Sequence, residues 1–72
     1  MDLAEIADYV NERSRYPVRY AVEDMDCIRI IIGHNLRERT ISVDRLMLDR
    51  SCQPERILDG LTDEAVLFLA SK

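Results

Sequence analysis

Hydrophobic positions along the chain change period from helical to alternating and back to helical. Leu3, Ile6, Ala7 and Val10 recur at helical spacing, with Asp2, Glu5, Asp8 and Glu12 largely on the other side. This pattern predicts an amphipathic helix. Early acids suit its N-terminus and Arg13 and Arg15 its C-terminus, while Pro17 forbids continuation and pushes Tyr16 into an extended conformation.

From residue 18 the period becomes two. Val18, Tyr20 and Val22 alternate with Arg19, Ala21 and Glu23, and Asp24-Met25-Asp26 follows as a turn. Residues 27–32 form the second predicted strand, with Ile28, Ile30 and Ile32 on one face and Cys27, Arg29 and Ile31 on the other. Pairing the two apolar faces through a three-residue loop at 24–26 places Val22 opposite Ile28, Tyr20 opposite Ile30 and Val18 opposite Ile32. Gly33-His34-Asn35-Leu36 reads as a second reversal. A loop at 34–37 then sets Ile41 beside Ile30 and Val43 beside Ile28, so that residues 27–33 are the central strand. On its outward face, Arg19 and Thr40 flank Ile31, and Ala21 and Ser42 flank Arg29.

Beyond Asp44 two conformations fit residues 45–52. Asp44 caps a short helix holding Leu46, Met47 and Leu48, or these residues form an irregular apolar connection. Ser51 and Pro54 mark a further helix start, and Thr62-Asp63-Glu64 after Gly60 resembles another. The pattern predicts one kinked helix over 54–70, or two helices broken near Gly60, with Leu58, Leu61, Ala65, Phe68 and Leu69 on one stripe. The expected fold is a single α+β domain over residues 1–72: an N-terminal helix, a three-stranded antiparallel meander and a C-terminal helical region, in the order αβββα.

At 72 residues, such a domain lies near the size where one core leaves stability marginal, and self-association into a homodimer is one remedy. Its composition, 47% hydrophobic and 33% charged, belongs to a folded globular chain. The longest apolar runs, 30–32 and 65–70, are too short to span a bilayer, and Met1 leads into acids instead of a basic, apolar signal. A cytoplasmic location is the expectation. In that compartment Cys27 and Cys52 are expected as free thiols. With one histidine and no C-x-x-C pair, no metal or other cofactor is expected either.

The net charge of −4 is unevenly spread. Residues 1–12 carry four acids and no base, residues 13–50 eight arginines against six acids, and residues 51–72 four acids against two bases. Nine of the ten basic residues are arginine, whose planar guanidinium suits pairing and stacking at interfaces.

In the order of its elements the chain resembles double-stranded-RNA-binding domains. Members of that family grip phosphates with a lysine cluster at the start of the last helix; here Ser51-Cys52-Gln53-Pro54-Glu55-Arg56 offers one base and one acid. Without that cluster, and with an acidic total, the electrostatic attraction that drives nucleic-acid binding is missing. Direct binding of RNA or DNA is not expected. Catalysis lacks a constellation too, since His34 lies in the predicted turn and Cys27 at the far end of the same strand. A non-enzymatic role through protein contact, as a small adaptor or inhibitor, remains.

Two surfaces compete for that contact. The outward sheet face, with Arg19, Ala21, Cys27, Arg29, Ile31, Thr40 and Ser42, has an apolar centre and arginine flanks, which is the anatomy of an interface with another protein or a second copy. The opposing view covers this face with the chain's own residues 45–52. Alternatively, the carboxylates Asp2, Glu5, Asp8, Glu12, Glu55, Asp59, Asp63 and Glu64 imitate a phosphate backbone and block a basic groove, as some phage-encoded inhibitors of host nucleic-acid-binding proteins do. The bland reading of these acids is a pair of solvated helix faces.

Overall fold

A computed structural model describes residues 1–71. It contains α1 (Leu3–Arg13), β1 (Val18–Asp24), β2 (Cys27–His34), β3 (Arg37–Asp44), α2 (Arg45–Arg50) and α3 (Pro54–Ala70). The strands form one antiparallel sheet in the order β1-β2-β3, as the meander reading requires. All three helices contribute to a core on one side of it. Ile6 and Val10 of α1, Leu48 of α2 and Leu58, Ala65 and Leu69 of α3 meet Ile28, Ile30, Ile32, Ile41 and Val43 of the sheet. Within this layer α1 lies chiefly on β1 and α3 chiefly on β3.

The helix ends follow from local chemistry. Asp2 and Glu5 form a reciprocal cap, with the Glu5 N–H donating to Asp2 Oδ1 at 2.8 Å and the Asp2 N–H to Glu5 Oε1 at 3.3 Å. Asp44 accepts from the Leu46 N–H at 2.8 Å, which starts α2 directly after β3. Residues 45–50 are therefore helical, and only Leu48 of the apolar trio is buried. Pro54 opens α3, which runs unbroken through Gly60; the second start suggested by Thr62-Asp63-Glu64 is not used. Its far end is held by Arg37, whose guanidinium donates to the carbonyls of Phe68 and Ser71.

The buried stripe of α3 is Leu58, Thr62, Ala65 and Leu69. It is rotated from the expected one, so that Leu61 is half-buried and Phe68 lies on the flank beneath the guanidinium groups of Arg37 and Arg39.

The β2–β3 register is as expected, with Ile30 opposite Ile41 and Ile28 opposite Val43, around a tighter Asn35-Leu36 loop. The β1–β2 register is not. Val18 does face Ile32, but beyond it Tyr20 pairs with Ile31, Ala21 with Ile30, Val22 with Arg29 and Glu23 with Ile28, with a bulge between Val18 and Tyr20. The cause is the turn. Met25 and Asp26 both take positive φ, 49° and 64°, the backbone of a two-residue hairpin whose twist matches that of its strands. A loop one residue shorter than expected reverses which β1 side chains face the core, and the bulge absorbs the offset before Val18.

Candidate functional site: the open face of the sheet

Residues opposite one another in a sheet share a face, so the register of β1 decides what the outer surface holds. Cys27, Arg29 and Ile31 of β2 are outward because Ile28, Ile30 and Ile32 are fully buried on the other side. Thr40 and Ser42 of β3 join them opposite Ile31 and Arg29. From β1 the additions are Tyr20 and Val22, not Ala21, which turns toward the core and packs half-buried against it. Arg19 sits in the bulge. Its guanidinium passes over Gly33, where a side chain would collide with it, and donates to Glu38 Oε1 at 3.1 Å and the Asn35 carbonyl at 2.6 Å.

Of the seven residues expected on this face, six are therefore present and Ala21 is replaced by two larger apolar neighbours. Tyr20 is 57% exposed, and Ile31 and Val22 are half-buried. Arg29 is exposed among them with no carboxylate partner among the described residues. The signal that could have found Tyr20 and Val22 was the Met25-Asp26 pair read as a complete turn instead of the middle of a longer loop.

Among the described residues no helix crosses this face. The proposed cover by residues 45–52 fails because Leu48 enters the core on the opposite side, while Leu46 and Met47 remain about half exposed at 52% and 55%. Arg45 explains why α2 turns that way. It forks onto Glu23, with Nε to Oε2 at 3.0 Å and Nη2 to Oε1 at 2.6 Å, and also meets Asp49 at 3.3 Å. The fork pulls the Glu23 carboxyl below the usual glutamate range and raises the Arg45 guanidinium above its own, in both cases mainly through their hydrogen bond.

The eight carboxylates do not form one array. Asp2 and Glu5 are tied into the cap of α1. Asp59 and Asp63 line a polar seam between α1 and α3, where the Tyr9 hydroxyl donates to Asp59 at 2.6 Å and Arg13 reaches Asp59 at 3.2 Å and Asp63 at 2.9 Å. The Arg13 hydrogen bond holds the Asp63 carboxyl below its usual range, and the bond to Asp59 raises the Tyr9 phenol. Asp8, Glu12 and Glu55 have no ion-pair partner among the described residues. Neither does Glu64, which lies on the other flank of α3, beside Arg39 and Thr40.

Cys27 and Cys52 are free thiols. His34 closes β2 with its ring 4.7 Å from that of Tyr16, so the histidine and Cys27 occupy opposite ends of one strand. Among the described residues no group of acids, histidines or cysteines could hold a metal ion, and no helix is long and apolar enough to cross a membrane.

Comparison of the chain with family models, with curated proteins and with solved structures finds no match.

Proposed function

We propose that the protein is a non-enzymatic adaptor or inhibitor that binds another protein through the open face of its sheet. The observation that carries this reading is the composition of that face: Tyr20, Val22 and Ile31 form an apolar centre, and Arg29 stands beside them with no ion-pair partner and no helix laid over it among the described residues. Aromatic, branched apolar and arginine side chains are the types that anchor interfaces, and an arginine without a carboxylate offers a partner's acid a two-pronged site.

The size of the face argues for a different protein over a second copy. Three strands of seven or eight residues make a surface of about 25 by 14 Å, or about 350 Å². A stable interface takes about 800 Å² from each partner, so two such faces pressed together fall short. A larger partner that reaches past the strand edges does not.

The test is a double substitution, Arg29→Glu with Ile31→Asp. Both side chains point away from the core, so circular dichroism should be unchanged while the complex recovered from the producing cells by the wild-type protein is lost. Undiminished recovery would refute the reading. The second reading, a mimic of nucleic acid built on the carboxylates, rests on Asp8, Glu12 and Glu55, which have no ion-pair partner among the described residues. It requires that Asp8→Lys with Glu12→Lys abolish binding and that added salt weaken it steeply. Arg13 pairs with Asp59 and Asp63, two more of the eight carboxylates, which makes it the weaker of the two.

A further inference from the structure

The sheet has two free edges, and they are treated differently. On β1 the edge is broken by the bulge at Arg19, follows Pro17, and has the first N–H of the strand, that of Val18, taken by Asn11 Oδ1 at 3.0 Å. Bulges, prolines and side-chain caps are the usual means of keeping a strand edge from pairing. On β3 there is none of this. Its eight residues pair with β2 in unbroken register, and Thr40 to Val43 form an uncharged run between Arg39 and Asp44.

Which backbone groups this edge presents follows from one bond. The Arg45 N–H donates to the Asp26 carbonyl at 2.7 Å, which brackets Cys27 and Asp44 as a pair that exchanges no hydrogen bond of its own. By alternation Ser42, Thr40 and Glu38 are of the same kind, so their N–H and C=O groups point away from β2. No described residue of the chain takes them.

Beside this edge, and on the core side of it, is a shallow cavity of about 60 Å³ walled by Ile41, Leu61 and Ala65 and flanked by Arg39 and Glu64. Neither charged side chain has an ion-pair partner among the described residues; the Arg39 guanidinium rests 4.3 Å from the centre of the Phe68 ring.

We propose that the edge of β3 and this cavity take an extended segment of a partner protein as a fourth strand of the sheet. Backbone bonds to Glu38, Thr40 and Ser42 hold the segment. Every second side chain then points to the core side, where the small cavity accepts one short aliphatic side chain. The neighbouring charges call for an acid near Arg39 and a base near Glu64, which match the two unpaired groups by charge.

A second copy of the chain does not fit this edge. Neighbouring strands lie about 4.8 Å apart, whereas packed helices need about 8 to 10 Å. Because α3 lies chiefly over β3, a second copy pairing edge to edge would drive its own α3 into this one. A segment with no helix behind it meets no such obstacle. This site uses residues distinct from Arg29 and Ile31, and it stands or falls separately from the open face.

The experiment selects random nonapeptides displayed on phage against the wild-type protein and resynthesises the enriched ones. Enriched peptides should carry one short aliphatic residue with an acid and a base near it, and binding should shift the amide resonances of Thr40 and Ser42. Methylating the peptide nitrogens one at a time should weaken binding about tenfold at every second residue and little between, since each effective methyl removes one bond to the edge. A Thr40→Pro protein, which loses no bond to β2 because that N–H faces outward, should lose binding while keeping its circular dichroism. The proposal is overturned if no peptide is enriched, or if the methylation scan shows no period of two. It is overturned equally if sedimentation shows a dimer that Thr40→Pro dissolves. The methylation scan decides the matter even if the proline variant fails to fold.

Discussion

Thr62 is the one described residue whose side-chain polar atom is buried without a hydrogen-bond partner, and it is fully buried in the stripe of α3 that faces the sheet. A hydroxyl in that position has given up water and received nothing in return, a loss of about 1 to 3 kcal/mol. Thr62→Val replaces the oxygen by a methyl group of similar size and leaves the helix preference nearly unchanged, since valine and threonine rank together. Allowing part of the gain to be lost to imperfect packing, the variant should be more stable by about 1 to 2 kcal/mol. In a domain of this size each kcal/mol moves the melting temperature by about 4 to 8 °C, so the rise should be about 5 to 15 °C. Thermal melts followed by circular dichroism, with urea titrations to check that the slope is unchanged, measure it directly. Thr62→Ser supplies the opposite sign: it keeps the hydroxyl and removes a buried methyl, for a loss of about 1 kcal/mol. If Thr62→Val melts at or below the wild type, the hydroxyl is bonded in solution, with the Leu58 carbonyl one helical turn earlier the nearest acceptor by position, and the reasoning fails.

Two further outcomes concern the turn and the ion pair. Replacing Met25 and Asp26 by asparagine and glycine should stabilise the protein by about 1 kcal/mol without altering the sheet, because both positions are left-handed and that pair suits them best; a loss in the urea midpoint would show that the turn is of another type. The Glu23 carboxyl is held below its ordinary range by Arg45, so its contribution is complete above the unfolded-state pKa of about 4.3 and is lost as pH falls through the lower folded value. Glu23→Gln should therefore be less stable than wild type near neutrality, with the gap closing in acid; a gap independent of pH would exclude the linkage.

The sequence made the αβββα order legible because its three periods are cleanly separated and Pro17, Asp44 and Pro54 stop or start helices by simple steric and hydrogen-bonding rules. The β2–β3 register was legible for the same reason: isoleucines on one strand had Ile41 and Val43 to meet, and only one parity joins them. The buried stripe of α3 was not, because one of its four positions is a threonine. Counting apolar residues alone rotates the helix toward Leu61 and Phe68. Packing instead places Phe68 under two arginines, an arrangement that hydrophobicity does not encode.

The misread strand is also the one that makes the open face what it is. Alternation in Val18, Tyr20 and Val22 is as clear as any in the chain, and obeying it would bury two apolar side chains under α1. Three local forces oppose it. The two-residue turn sets Asp24 opposite Cys27 and fixes the parity; Glu23, brought to the core side by that parity, is taken by the Arg45 fork. Ala21 then sits where α1 packs on β1, and its single methyl lets helix and sheet approach where a tyrosine would hold them apart. The consequence lands on the outer surface. Tyr20 and Val22 are carried out of the core to lie beside Ile31 and Arg29, at the cost of apolar burial that each could have had within the fold. Burial left unmade inside the chain remains available to a partner, and the side chains that forgo it here are neighbours on one uncovered face.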